Sequence, residues 1–171
     1  MARHLAALVA DNPDPSIPFN FGLDASGYRV RVGQGTPSEN AARSNDWGSD
    51  VHFPMHSNAA GSPSGTCASR TGASRGTWAI YESGSGNQGF ANTVRNLVGP
   101  SSPGTNDQAC VITGCTSFTC LEELCGVDAP HAVYSETEFH DWNSGIEYLA
   151  VNRKDTAVVV GNAIDSFLGF P

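Results

Sequence analysis

The chain has 171 residues, and its nine Lys and Arg against seventeen Asp and Glu give a net charge of −8. That length suits a single domain, 1–171, with a real core, and the acidic balance argues against a nucleic-acid partner. At 39% hydrophobic and 15% charged residues, with no apolar run of membrane-spanning length, the composition is that of a globular protein with no membrane span.

The N-terminus has a basic start and a short apolar middle. Asp11 stands where a small-residue cleavage site would be, which argues against a signal peptide. Ala2 to Ala10 is rich in helix formers, with Leu5, Leu8 and Val9 on one face, and predicts a helix. The prolines between Asn12 and Ser26 predict a loop, and Tyr28 to Val32 alternates as a strand. Thr36 or Ser38 caps a helix running through Glu39 to Trp47, with Gly48 as its stop.

Asp50 to Met55 predicts a buried strand, and His56 follows where it gives way to Ser57, Asn58, Ala59, Ala60 and Gly61. A strand ending in a histidine and a small-residue turn delivers the imidazole to the carboxyl edge of a sheet, where open α/β sheets bind ligands. Ala60 to Gly76 predicts an exposed loop, Thr77 to Tyr81 a strand, and Gln88 to Val98 a helix with Phe90, Val94 and Leu97 facing inward. Ala109 to Thr113 predicts a short strand, and Phe118 to Leu124 a helical turn with Leu121 and Leu124 toward the core. A strand over Pro130 to Ser135 and helices over Ser144 to Leu149 and Lys154 to Leu168 complete the series. Alternating strands and helices predict an α/β fold, a largely parallel sheet flanked by helices on both faces.

Cys110, Cys115, Cys120 and Cys125 recur at a spacing of five, with Cys67 apart. This is not the paired spacing of a zinc site, and it leaves both free thiols and disulfides open. An odd count leaves at least one thiol unpaired within a monomer.

His56 and Glu136 close two strands that the βα alternation makes parallel, so both are expected close together at one sheet edge. A histidine beside a carboxylate there suits a metal site or acid–base chemistry. His52 lies four residues before His56, roughly 13 Å at strand rise, too far to share a metal. His131 reads as structural, His4 falls in the first predicted helix, and Trp47, Trp78 and Trp142 read as core or rim residues.

Three segments carry a resemblance to a known family. They are Glu39 to Asp50 (ENAARSNDWGSD), Val51 to Ala59 (VHFPMHSNA) and Asp128 to Asp141 (DAPHAVYSETEFHD), with Gly76 to Tyr81 (GTWAIY) between the last two. In this order the chain resembles the type 3 zinc-dependent N-acetylmuramoyl-L-alanine amidases, which cut between the lactyl group of muramic acid and the first alanine of the peptidoglycan stem. The resemblance implies Zn2+, with His56 as a zinc ligand and Glu136 as the catalytic glutamate. It implies Asn58, Glu138 and His140 as candidates for the substrate groove, Glu138 replacing the family's glycine. The implied partners are the stem peptide and muramic acid of peptidoglycan. The implied place of action is the cell wall or outside the cell, for an exported enzyme or a lysin made in the cytoplasm or by a phage.

The family's GHGG first strand and its glutamate zinc ligand have no counterpart from Met1 onward. The resemblance therefore implies a domain truncated ahead of this segment, a sheet lacking its first strand, and weak zinc binding through His56 alone. The alternative is a catalytically impaired, amidase-like domain that binds the cell wall or a partner protein.

Overall fold

The computed structural model describes residues 3–9, 28–33, 35–59 and 75–169. The described strands are β1 (Arg3–Val9), β2 (Tyr28–Gly33), β3 (Val51–Asn58), β4 (Trp78–Tyr81), β5 (Gln108–Val111), β6 (His131–Ala132) and β7 (Tyr134–Phe139). They form one sheet in the order β2-β1-β3-β7-β4-β5, with β6 paired to β3 beside β7. All ladders are parallel except β4 against β7. The helices are α1 (Pro37–Trp47), α2 (Gln88–Val98), the four-residue α3 (Ile112–Cys115) and α4 (Glu122–Cys125), α5 (Asn143–Val151) and α6 (Arg153–Leu168). The expected α/β architecture is the observed one.

The N-terminal expectation is corrected. Residues 3–9 are a strand rather than a helix, and β1 lies between β2 and β3, where a sheet lacking its first strand was expected. Short apolar runs carry no periodicity that separates a strand from a helix, and neighbours on both sides decide the outcome. The predicted loops over 12–26 and 60–74, Cys67 and the side chain of His4 lie outside the described residues.

Helix α1 begins as its sequence dictates. Thr36 Oγ1 accepts from Glu39 N at 3.3 Å, and Glu39 Oε2 accepts from Thr36 N at 2.9 Å, a reciprocal capping box with Pro37 in the first turn. Gly48 ends the helix in the left-handed region at φ 62°.

Pro54 shapes the centre of the sheet. The carbonyls of Asp50, His52 and Asn58 all accept bonds from the β6–β7 side. Alternation turns Pro54 to that same side, where it has no N–H to donate. The partner strand breaks opposite, between Ala132 and Tyr134, so the single strand expected over Pro130 to Ser135 is two. Further along, His56 pairs with Glu136 but Asn58 pairs with Phe139, so β7 carries one extra residue as a bulge.

Two apolar clusters cover the two faces. On one face Val51, Phe53, Ala79 and Val133 pack with Phe90, Ala91, Val94 and Val98 of α2 and with Val160, Ala163 and Ile164 of α6. On the other, Ile80 and Ala132 pack with Ile112 of α3 and Leu124 of α4. The α2 stripe uses Val98 where Leu97 was expected, and Leu97 is exposed. The helical turn expected over Phe118 to Leu124 shrinks to α4, and Phe118 is 61% exposed.

Phe53 is fully buried with its ring 5.8 Å from that of Phe90. Phe53→Ala is expected to lower unfolding free energy by about 3–5 kcal/mol, measured by urea denaturation with an unchanged m-value.

Candidate active site

The face of the sheet toward α1 and α4 is the polar one. His52 and His56 of β3 share it, as do Tyr134 and Glu136 of β7, because alternate residues point the same way. His56 and Glu136 are register partners on adjacent parallel strands. Tyr134 stacks on His56, ring centroids 4.4 Å apart and planes 10° from parallel.

A third group comes from far along the chain. Glu123, on α4, places Oε2 at 2.7 Å from His56 Nε2. An ionised carboxylate has no proton to give, so Nε2–H donates. Glu123 is nearly enclosed, whereas His56 keeps a quarter of its side chain open to solvent. Helix α4 is too short to hold itself, and its supports are tertiary. Leu124 is buried, Asn45 of α1 donates to the Gly126 carbonyl and accepts from Asp128 N, and Ser38 donates to Glu122. Cys120 and Cys125 are joined across α4, and Cys110 of β5 is joined to Cys115 at the end of α3. The spacing of five is thus a pair of local disulfides. It was also the one sequence signal that could have drawn attention to Glu123, which sits between Cys120 and Cys125 without a motif of its own.

Burial is the main reason that the Glu136 carboxyl is pushed up from 4.5 to about 7, and the nearby Glu123 charge adds to it. His56 and a hydrogen bond from Tyr134 act in the opposite direction. Glu136 Oε2 is buried without a hydrogen-bond partner. The Tyr134 hydroxyl is held neutral by burial and by the two glutamates.

The other candidates fall in different places. Glu138 does not line a groove: it is fully buried, accepting from Gly104 N at 2.9 Å and Phe139 N at 2.7 Å. The bulge in β7 breaks the alternation that would have kept Glu138 in line with Glu136. Asn58 is half-buried and its Oδ1 accepts from Ala59 N, while its carbonyl accepts from His140 N at 2.8 Å. His140 is exposed, with Nδ1 3.1 Å from Ser57 Oγ. His131 packs edge-on against Phe167 of α6, on the opposite face. Trp142 is buried and Trp78 packs edge-on against Phe139.

A catalytic zinc needs three protein ligands and an open position. Among the described residues no three His, Cys, Asp or Glu side chains are grouped to hold a metal, and the His56 nitrogen facing the site's carboxylates is engaged by Glu123. These residues by themselves do not fit a catalytic zinc. Among them, too, no helix is long and apolar enough to cross a membrane.

No protein-family model and no curated protein sequence matches the chain. Solved structures do match, at low identity. Cwp6 from Clostridium difficile is similar at TM-score 0.70 and 16% identity, over 98% of this chain and 30% of that one. The catalytic domain of CwlV, an N-acetylmuramoyl-L-alanine amidase from Bacillus (Paenibacillus) polymyxa var. colistinus, is similar at TM-score 0.69 and 13% identity, over 99% of both chains. The amidase Ami1 from Mycobacterium smegmatis is similar at TM-score 0.67 and 18% identity, over 98% of this chain and 97% of that one. The chain spans under a third of Cwp6 and nearly all of the other two, and what it shares with them is the fold.

Glu136 gives stability a pH dependence of definite sign. Its folded value lies above its ordinary one, so its contribution is complete below about 4.5 and is lost as pH rises through about 7. Glu136→Gln is expected to flatten a fall of about 3 kcal/mol across that window, read from thermal midpoints at several pH values.

Proposed function

We propose that this chain is a peptidoglycan hydrolase that cleaves the amide between N-acetylmuramic acid and L-alanine, with Glu136 as general base. The observation that carries the reading is the register pair His56–Glu136, set on adjacent parallel strands in a fold shared with amidase catalytic domains. The sequence resemblance assigns the same two positions to the reaction.

A carboxyl poised near neutrality takes and returns a proton readily at working pH. Glu136 accepts the proton of the water that adds to the lactyl amide carbonyl. It then delivers that proton to the alanine nitrogen as the carbon–nitrogen bond breaks. The Glu123 contact fixes the His56 ring beside Glu136, at the edge where the tetrahedral intermediate forms. Tyr134 holds both, by stacking on one and hydrogen bonding to the other. Asn58 and His140 border the exposed side of this cluster and are the groove residues of the proposal. The substrate is the stem peptide with its muramic acid, and the place of action is the cell wall. Zinc is the metal of the family that the sequence resembles, and the described residues by themselves do not hold it.

The Glu123–His56 contact favours a second reading, a domain that binds wall peptide without cutting it. One experiment separates the two: release of stem peptide from purified peptidoglycan, with sedimentation of the protein on the same material and with zinc or a chelator added. The hydrolase reading expects release by the native chain and a loss of about 10²–10⁴-fold in Glu136→Gln, with binding retained. Co-sedimentation without release favours the binding domain, and neither binding nor release overturns both.

A further inference from the structure

Two disulfides of equal span follow one another in the chain, and their surroundings differ. Cys110–Cys115 belongs to the packing: both residues are half-buried against the cluster of Ile80, Ile112, Leu124 and Ala132. Cys120 and Cys125 are both exposed, outside that cluster. A reductant in solution therefore meets the second bridge first.

That bridge closes around α4 and so around Glu123, whose Oε2 lies 2.7 Å from His56 Nε2. After α4 the chain is anchored by Asn45, at the Gly126 carbonyl and at Asp128 N. Before it, Ser117 to Cys120 are all exposed. The bridge is thus the covalent tie between the anchored end of the turn and its exposed end. A turn of four residues does not persist by itself. A loop closed over a sequence separation of 5 restricts few conformations beyond its own. Its opening loosens the turn, while the apolar clusters on the two faces of the sheet keep the domain folded.

We propose that Cys120–Cys125 is a thiol–disulfide exchange site, at which a dithiol reductant releases Glu123 from His56. One thiolate of the dithiol attacks a bridge sulfur, forming a mixed disulfide and expelling the other cysteine as a thiolate. The second thiolate of the dithiol then displaces the remaining protein sulfur. The bridge gains two electrons and, with two protons, becomes two thiols, and the dithiol leaves as a disulfide. With Glu123 withdrawn, the His56 ring loses the contact that fixes it beside Glu136. The site is assembled in oxidising surroundings and taken apart in reducing ones. That this switches hydrolysis rests on the hydrolase reading; the release of Glu123 does not.

The test uses the full chain, any thiol free in its oxidised form being capped first with N-ethylmaleimide. Dithiothreitol is added, new thiols are trapped with iodoacetamide at intervals, and the labelled peptides are mapped by mass. Cys120 and Cys125 are expected to label at least tenfold faster than Cys110 and Cys115. In the protein trapped at that stage, amide hydrogen exchange is expected to quicken at least tenfold at Leu124, Cys125 and Gly126. Those amides close the turn onto Leu121 and Glu122, and exchange in α2 and α6 is expected to stay unchanged. The ring-nitrogen signals of His56 are expected to move to their positions in Glu123→Ala. The double variant Cys120→Ser with Cys125→Ser needs no reductant and is expected to show the same exchange and the same His56 signals. Stem-peptide release is expected to fall at least tenfold in both forms. Equal or slower labelling at Cys120 and Cys125, or His56 signals that do not move when that bridge opens, would overturn the proposal. Exchange quickened throughout α2 and α6 would overturn it too, since the bridge would then hold the domain and not the site. No release from the oxidised chain, with the labelling and the His56 shift as expected, supports the exchange site and overturns the hydrolase reading alone.

Discussion

The contact between His56 and Glu123 is the constraint around which the site is organised. It joins the end of β3 to a helix of only four residues, 67 positions later in the chain. A lone four-residue helix has no stability of its own, since nucleation alone is unfavourable. The disulfide across Cys120 and Cys125, the buried Leu124 and the two hydrogen bonds of the Asn45 amide, one donated and one accepted, put it in place. Those supports bring a second carboxylate into an enclosure that already holds Glu136. Burial in that enclosure raises the proton affinity of Glu136, and the Glu123 charge adds to it.

The two faces of the sheet divide the work. The face toward α2 and α6 is apolar across its breadth, from Val51 and Phe53 to Phe90, Val94 and Ile164. The face toward α1 and α4 carries His52, His56, Tyr134 and Glu136. Buried polar groups of this sort are costly when unsatisfied, and Glu136 Oε2 and Asn40 Oδ1 are both unsatisfied. The dry face supplies the stability against which the polar face is held. Local irregularities then aim the site: Pro54 interrupts one ladder, and the bulge in β7 separates the orientation of Glu138 from that of Glu136.

Much of this was legible in the residues. A cap at Thr36, the stop at Gly48 and the neighbouring placement of His56 and Glu136 follow from spacing and residue type, whereas β7 runs past Glu136 to Phe139 and α2 buries Val98 rather than Leu97. The helix expected over Ala2 to Ala10 is a strand because the apolar run from Leu5 to Ala10 is too short to have a period that distinguishes the two, and its neighbours on both sides settle the matter. Glu138 was misplaced because a single extra residue in a strand leaves no mark in the sequence. Glu123 escaped because nothing about an isolated glutamate in a cysteine-rich loop says which distant strand it meets. Only the regular cysteine spacing hinted that the loop was locally tied and therefore able to present a side chain.

A double-mutant cycle on stability tests the His56–Glu123 interaction most directly. His56→Ala, Glu123→Ala and the double variant are compared with the native chain by urea denaturation near neutral pH. A real contact between a part-exposed imidazole and an enclosed carboxylate predicts a coupling of about 1–3 kcal/mol, well outside additivity. Single effects that sum to the double within about 0.5 kcal/mol would contradict the contact, and with it the arrangement of the site around it.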